Sequence, residues 1–100
     1  MMEKFKEGTW YVLKAKLKWQ KREDDGMFIL NGSKPDWNKE MKDNWEKNPC
    51  QKVKTCSQSN ISPKRPHSYK VLFSKMNGTW HYNKLDFRKA TKNEIMLSEI

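Results

Sequence analysis

The side chains of this 100-residue sequence best suited to bind a metal or move a proton are two cysteines and two histidines. Their spacing points away from both chemistries. Cys50 and Cys56 have five residues between them, whereas zinc-binding cysteine pairs are usually about two to four residues apart. A disulfide between them requires the segment to turn back on itself, and a reducing compartment would keep both as thiols. His67 and His81 lie in no motif that sets a nucleophile beside them, and they read as a loop and a strand-surface histidine. Asp24-Asp25 is a turn pair, which needs no metal to explain it. The glycines are isolated at Gly8, Gly26, Gly32 and Gly78, so no phosphate-cradling loop is present. The expectation is a protein that is not an enzyme and carries no cofactor and no metal.

Binding chemistry has more material. Lys and Arg number 21 against 12 Asp and Glu, leaving a formal charge of +9, which suits phosphate-rich partners. Lys14, Lys16 and Lys18 alternate in the first quarter of the chain, and Lys52, Lys54, Lys64, Arg65 and Lys70 follow in the second half. If their strands are neighbours, these residues form one stripe that neutralises phosphates. The alternative is a solvated lysine surface. Five Trp exceed what so small a core must hold, so Trp10 or Trp80 is expected to offer a stacking face for bases. Trp37, Met41 and Trp45 fall at four-residue steps and read as the core stripe of a helix. The expected partner is nucleic acid, RNA before DNA, with a host protein or a second copy of the chain as further candidates.

The elements that must position these residues follow from periodicity. From Thr9 to Trp19 the sequence alternates, so Tyr11, Leu13, Ala15, Leu17 and Trp19 would line the core face of a strand with the three lysines behind it. Met27 to Leu30 reads as a short buried strand closed by Asn31-Gly32. Ser33 three residues before Asp36, with Pro35 in the first turn, predicts a helix from about Lys34 to Lys47, ended by Asn48-Pro49. Cys50 to Cys56 is either a strand or an extended loop. Ser57 to Ser68 is an exposed loop by composition. Tyr69 to Lys75 and Thr79 to Phe87 form a hairpin about Asn77-Gly78, and Thr91 with Glu94 is a capping box opening a short C-terminal helix with Ile95, Met96 and Ile100. Three Asn-x-Ser/Thr sequons, at Asn31, Asn60 and Asn77, carry no weight without a secretory signal. Neither a signal-type stretch at the start nor an apolar run of membrane length is seen, so the expected site is the cytoplasm and no membrane is expected as partner.

The run Phe87 to Ile95, FRKATKNEI, resembles the ending of many small phage-encoded proteins, in which Arg-x-Ala-Thr-x-x-Glu-Ile follows the last strand. Phe5 to Val12, FKEGTWYV, is similar to their first strand. The resemblance implies a small SH3-like β-barrel acting in host takeover or against host defence, inside a bacterial host. The fold expected is therefore α+β and a single domain over residues 1–100: a bent antiparallel sheet of four to five strands, SH3-like or a partial barrel, with one packed helix and a short C-terminal helix. The function expected is that of a non-enzymatic phage accessory protein which binds nucleic acid through a basic face and counters a host system such as a nucleic-acid-dependent toxin. A direct protein inhibitor of a host enzyme, and a sponge for a small nucleotide signal, are the alternatives.

Overall fold

In the computed structural model the described residues are 5–14, 19–21, 26–30, 33–58 and 68–99. Eight strands and two helices follow in the order β1 (Trp10–Leu13), β2 (Trp19–Lys21), β3 (Phe28–Leu30), β4 (Ser33–Trp37), α1 (Lys39–Lys47), β5 (Cys50–Gln58), β6 (Ser68–Phe73), β7 (Trp80–Asn83), β8 (Phe87–Lys89) and α2 (Lys92–Glu99). The fold is α+β. Five strands make one antiparallel sheet in the order β7-β6-β5-β1-β8, and β2-β3-β4 make a smaller one. A 3-10 turn, Lys84–Asp86, separates β7 from β8, and the Asn83 side chain caps it by accepting from the Leu85 N–H.

One face of the large sheet is aromatic. Tyr11, Val53, Tyr69, Val71, Phe73, Tyr82 and Phe87 are buried together with Phe5, Trp37 and Trp45. Most ring pairs meet edge to face, as the ring quadrupoles prefer, with Trp45 4.8 Å from Phe73 and 5.3 Å from Phe87 between centroids. Phe87 and Tyr82 lie on the two outermost strands yet are 5.8 Å apart. Contact between opposite edges requires the sheet to be strongly bent, as expected.

Several elements depart from their sequence readings. The alternating segment Thr9 to Trp19 is not one strand: β1 ends at Leu13, and Trp19 belongs to β2 in the other sheet. The Leu13 and Lys14 N–H groups bond the carbonyls of Pro49 and Asp86 in register with the β1–β5 and β1–β8 pairing, the last rungs of the ladder among the described residues. Ser33 to Trp37, read as the start of a helix, is strand β4. The helix begins only at Lys39, where the Asn38 side chain accepts from the Met41 N–H at 2.8 Å. Asn is as good an N-cap as Ser, and its position lets Pro35 sit in extended backbone. Trp37 therefore reaches the core from a strand, 6.3 Å from Trp45 and 5.3 Å from Tyr82. Cys50–Gln58 is a full strand rather than a loop. The returning arm of the hairpin is split by the 3-10 turn into β7 and β8.

At the C-terminus the capping box is formed as expected. The Thr91 N–H donates to Glu94 Oε1 at 2.8 Å and the Glu94 N–H to Thr91 Oγ1 at 3.2 Å. Arg88 adds a fork onto the same carboxylate, at 2.8 and 2.7 Å. The Arg-x-Ala-Thr-x-x-Glu pattern is thus a clasp: Arg88 and Thr91 hold Glu94, while the Ala90 N–H closes the sheet onto the Trp10 carbonyl.

Candidate nucleic-acid interface

The register of β5 decides which lysines meet. Val53 pairs with Phe73 and faces the core, and Cys56 pairs with Val71 on the same side. Alternation alone would put an odd number of residues between two that share a side, but two lie between these, Lys54 and Thr55; a bulge between Val53 and Thr55 leaves both facing outward. Lys52, Lys54, Thr55 and Ser57 are consequently all exposed on the outer face. Lys52 and Lys54 stand about 7 Å apart along the strand. On β6, Lys70 is exposed and pairs with Ser57 on one side and His81 on the other. The sequences of β5, β6 and β7 contain no Asp or Glu, so this part of the outer face is uniformly positive. Trp10 pairs with Lys52 in β1 and is half-buried on the same side.

The ten residues singled out from the sequence are thereby sorted. Lys52, Lys54 and Lys70 share one face with Trp10 at its border. Lys14 does not join them: it follows the end of β1, about 13 Å along the chain from Trp10, and its Nζ donates to the Leu85 carbonyl at 2.7 Å. Trp80 pairs with Val71 and packs against the core side. It lines a cleft of about 190 Å³ with Met41, Asn44 and Met76, and its Nε1 is sealed from water without a hydrogen-bond acceptor among the described residues. Lys16, Lys18, Lys64 and Arg65 lie outside the described residues, as do His67 and most of the segment Ser57 to Ser68.

A second part of the outer face is covered. Val12 pairs with Cys50 and with Arg88, and α2, held by Arg88, lies over them, so that Val12 and Cys50 are buried. Sequence reasoning missed this cover, because α2 buries none of its own residues and shows no one-sided periodicity. It also missed Lys47 and Lys75, which border a cleft of about 210 Å³ beside Leu97. Cys50 and Cys56 point to opposite sides of β5, about 20 Å apart along an extended strand, which rules out a disulfide between them within the chain.

The buried polar groups nearby hold the frame. Gln51 is fully buried, accepts from the Lys75 N–H and donates to the Asn48 carbonyl, both at 3.0 Å. Asn44 donates to the Lys75 carbonyl at 2.8 Å. These bonds fasten the hairpin tip to the C-terminal half of α1. Tyr82, also fully buried, has its phenol pushed up to about 12 by desolvation, partly offset by the Trp45 Nε1–H that approaches its oxygen at a long 3.4 Å.

Among the described residues no three His, Cys, Asp or Glu side chains gather into a metal-binding group, and no helix is long and apolar enough to cross a membrane. Comparison of the chain with protein-family models, curated proteins and solved structures finds no match.

Proposed function

We propose that the protein binds single-stranded nucleic acid, RNA in the first place, through the outer face of β5 and β6, without catalysing a reaction. The observation that carries this reading is the outer face shared by Lys52 and Lys54 on β5 and Lys70 on neighbouring β6, on strands free of carboxylates. Such a row exchanges condensed counterions for ammonium groups, and Trp10 opposite Lys52 offers a ring at its border. The strand order β7-β6-β5-β1-β8, with a 3-10 turn before the last strand, supports reading the large sheet as an SH3-like barrel. In the bacterial, phage-borne setting that the sequence resemblance implies, a face of this kind would mask or sequester the nucleic acid on which a host toxin depends. A sponge for a small nucleotide has less support, because the two clefts described hold about 190 and 210 Å³, below the roughly 300–1,000 Å³ of ordinary small-molecule sites.

The test is Lys52→Glu with Lys54→Glu and Lys70→Glu. All three are exposed, so the fold should survive, while affinity for single-stranded RNA and DNA falls. Each lost phosphate contact flattens the slope of log affinity against log salt by about 0.7, about 2 for the three. A folded triple variant with unchanged affinity and slope would make these lysines a merely solvated surface.

A further inference from the structure

We infer that the cleft beneath the end of α2 is a second binding surface, and that it takes an acidic protein segment carrying one large apolar side chain. Leu97 is 73% exposed and Met96 63%, neighbours on a helix that buries none of its residues. Leu97, Pro49 and Cys50 line the cleft together with the two lysines Lys47 and Lys75. Among the described residues no Asp or Glu side chain lines it.

The chemistry of this lining selects a protein over a nucleic acid. Phosphates gain from lysines but nothing from an exposed leucine, and bases stack on aromatic rings, which the cleft lacks. A leucine and a methionine open to water are anchors of the kind that protein interfaces bury at their centre, with charge left at the rim. A cavity of about 210 Å³ is of the order of one large side chain. The two lysines, on a chain of formal charge +9, supply the complementarity that selects an acidic neighbour around that side chain. The clasp of Arg88, Thr91 and Glu94 fixes the helix by its first turn, which leaves Leu97 near the other end free for a partner. This surface adjoins the Lys52 row along β5, so its test must separate the two.

The experiment uses the full chain and fluorescein-labelled peptides, one with four Asp flanking a central Phe, one with Ala in place of Phe, and one with Lys in place of Asp. Fluorescence polarisation should show the Asp–Phe peptide binding at least about tenfold tighter than either control. Leu97→Ser with Met96→Ser should cost about tenfold in peptide affinity and leave RNA binding unchanged, and Lys47→Glu with Lys75→Glu should abolish the salt dependence of peptide binding. The Lys52/Lys54/Lys70 variant should lose RNA and keep the peptide. Three results would overturn the inference: peptide affinity indifferent to Leu97 and Met96, displacement of the peptide by single-stranded RNA in the Lys52/Lys54/Lys70 variant, or a micromolar dimer in sedimentation that Leu97→Ser dissociates, which would make a second copy the occupant. Failure of RNA binding alone would strike the outer-face lysines and leave the cleft standing.

Discussion

The two helices are attached to the same sheet by opposite means. α1 inserts Trp45 among Trp37, Phe73, Tyr82 and Phe87 on the core face, and nothing of that side chain reaches water. α2 buries no residue of its own: its capping box is internal, and one Arg fork from β8 with a shallow contact on β5 holds it on the outer face. A helix fastened by apolar burial has spent its apolar face on the fold. A helix fastened by polar contacts at its first turn keeps its apolar residues for something else, and here they are Met96 and Leu97.

The comparison fails first, and by the largest margin, if Trp45 is dispensable. Trp45→Ala should destabilise the protein by about 3–5 kcal/mol, since it empties the centre of a cluster that cannot collapse around the loss. Urea denaturation reads this directly. A cost under about 1 kcal/mol would mean that α1 is not held by its core face. Thr91→Ala sharpens the other side. It removes one of the two reciprocal bonds of the capping box and should cost about 1 kcal/mol, with the loss confined to α2; amide exchange should rise at Ile95 to Ser98 and stay fixed at Asn44 to Lys47. Uniform acceleration in both helices would show that α2 is integral to the cooperative core.

The same contrast explains what was legible beforehand. Elements with a strong local signal were readable: β6 with Tyr69, Val71 and Phe73 inward, the existence of a strand at Phe28–Leu30, and the Thr91–Glu94 capping box. β1 was over-read because Ala15, Leu17 and Trp19 continue its alternation, while its partners β5 and β8 begin at Cys50 and Phe87 and offer it pairing only as far as Leu13. The start of α1 was misplaced because Ser33 and Asp36 form a local capping signal as good as the one at Asn38, and nothing local says that Trp37 is needed on a strand beside Tyr82. Lys52, Lys54 and Lys70 share the outer face as alternation within each strand predicts, while the bulge that also turns Thr55 and Ser57 outward has no signal in the sequence pattern. Trp80 was offered for stacking on count alone. Its side of β7 depends on the pairing with Val71, which no single-strand pattern contains.

The smallest effect tests the clasp itself, through acid. Glu94 is held at about 2, first by the hydrogen bonds from Arg88 and then by the Thr91 N–H, against about 4.5 for an unconstrained side chain. A carboxylate with a lower value in the folded state releases its proton more readily there than in the unfolded chain. Between those two values the unfolded state binds the extra proton, so stability rises with pH across the window. The contribution is therefore complete above about pH 4.5 and disappears as pH falls through about 2. Because the pair is solvent-exposed, salt screens it and its share of global stability is small, so exchange of the α2 amides is the sensitive reading. In wild-type protein those amides should lose protection progressively as pH falls from 4.5 to 2, beyond the intrinsic change in exchange rate, while α1 is steady. Glu94→Gln should start at the lower protection and lose this pH dependence, and 1 M salt should move the wild type toward the variant. Equal pH profiles for wild type and Glu94→Gln would mean that α2 is held by something other than the clasp, and the contrast between the two helices would have to be rebuilt on its packing against β5.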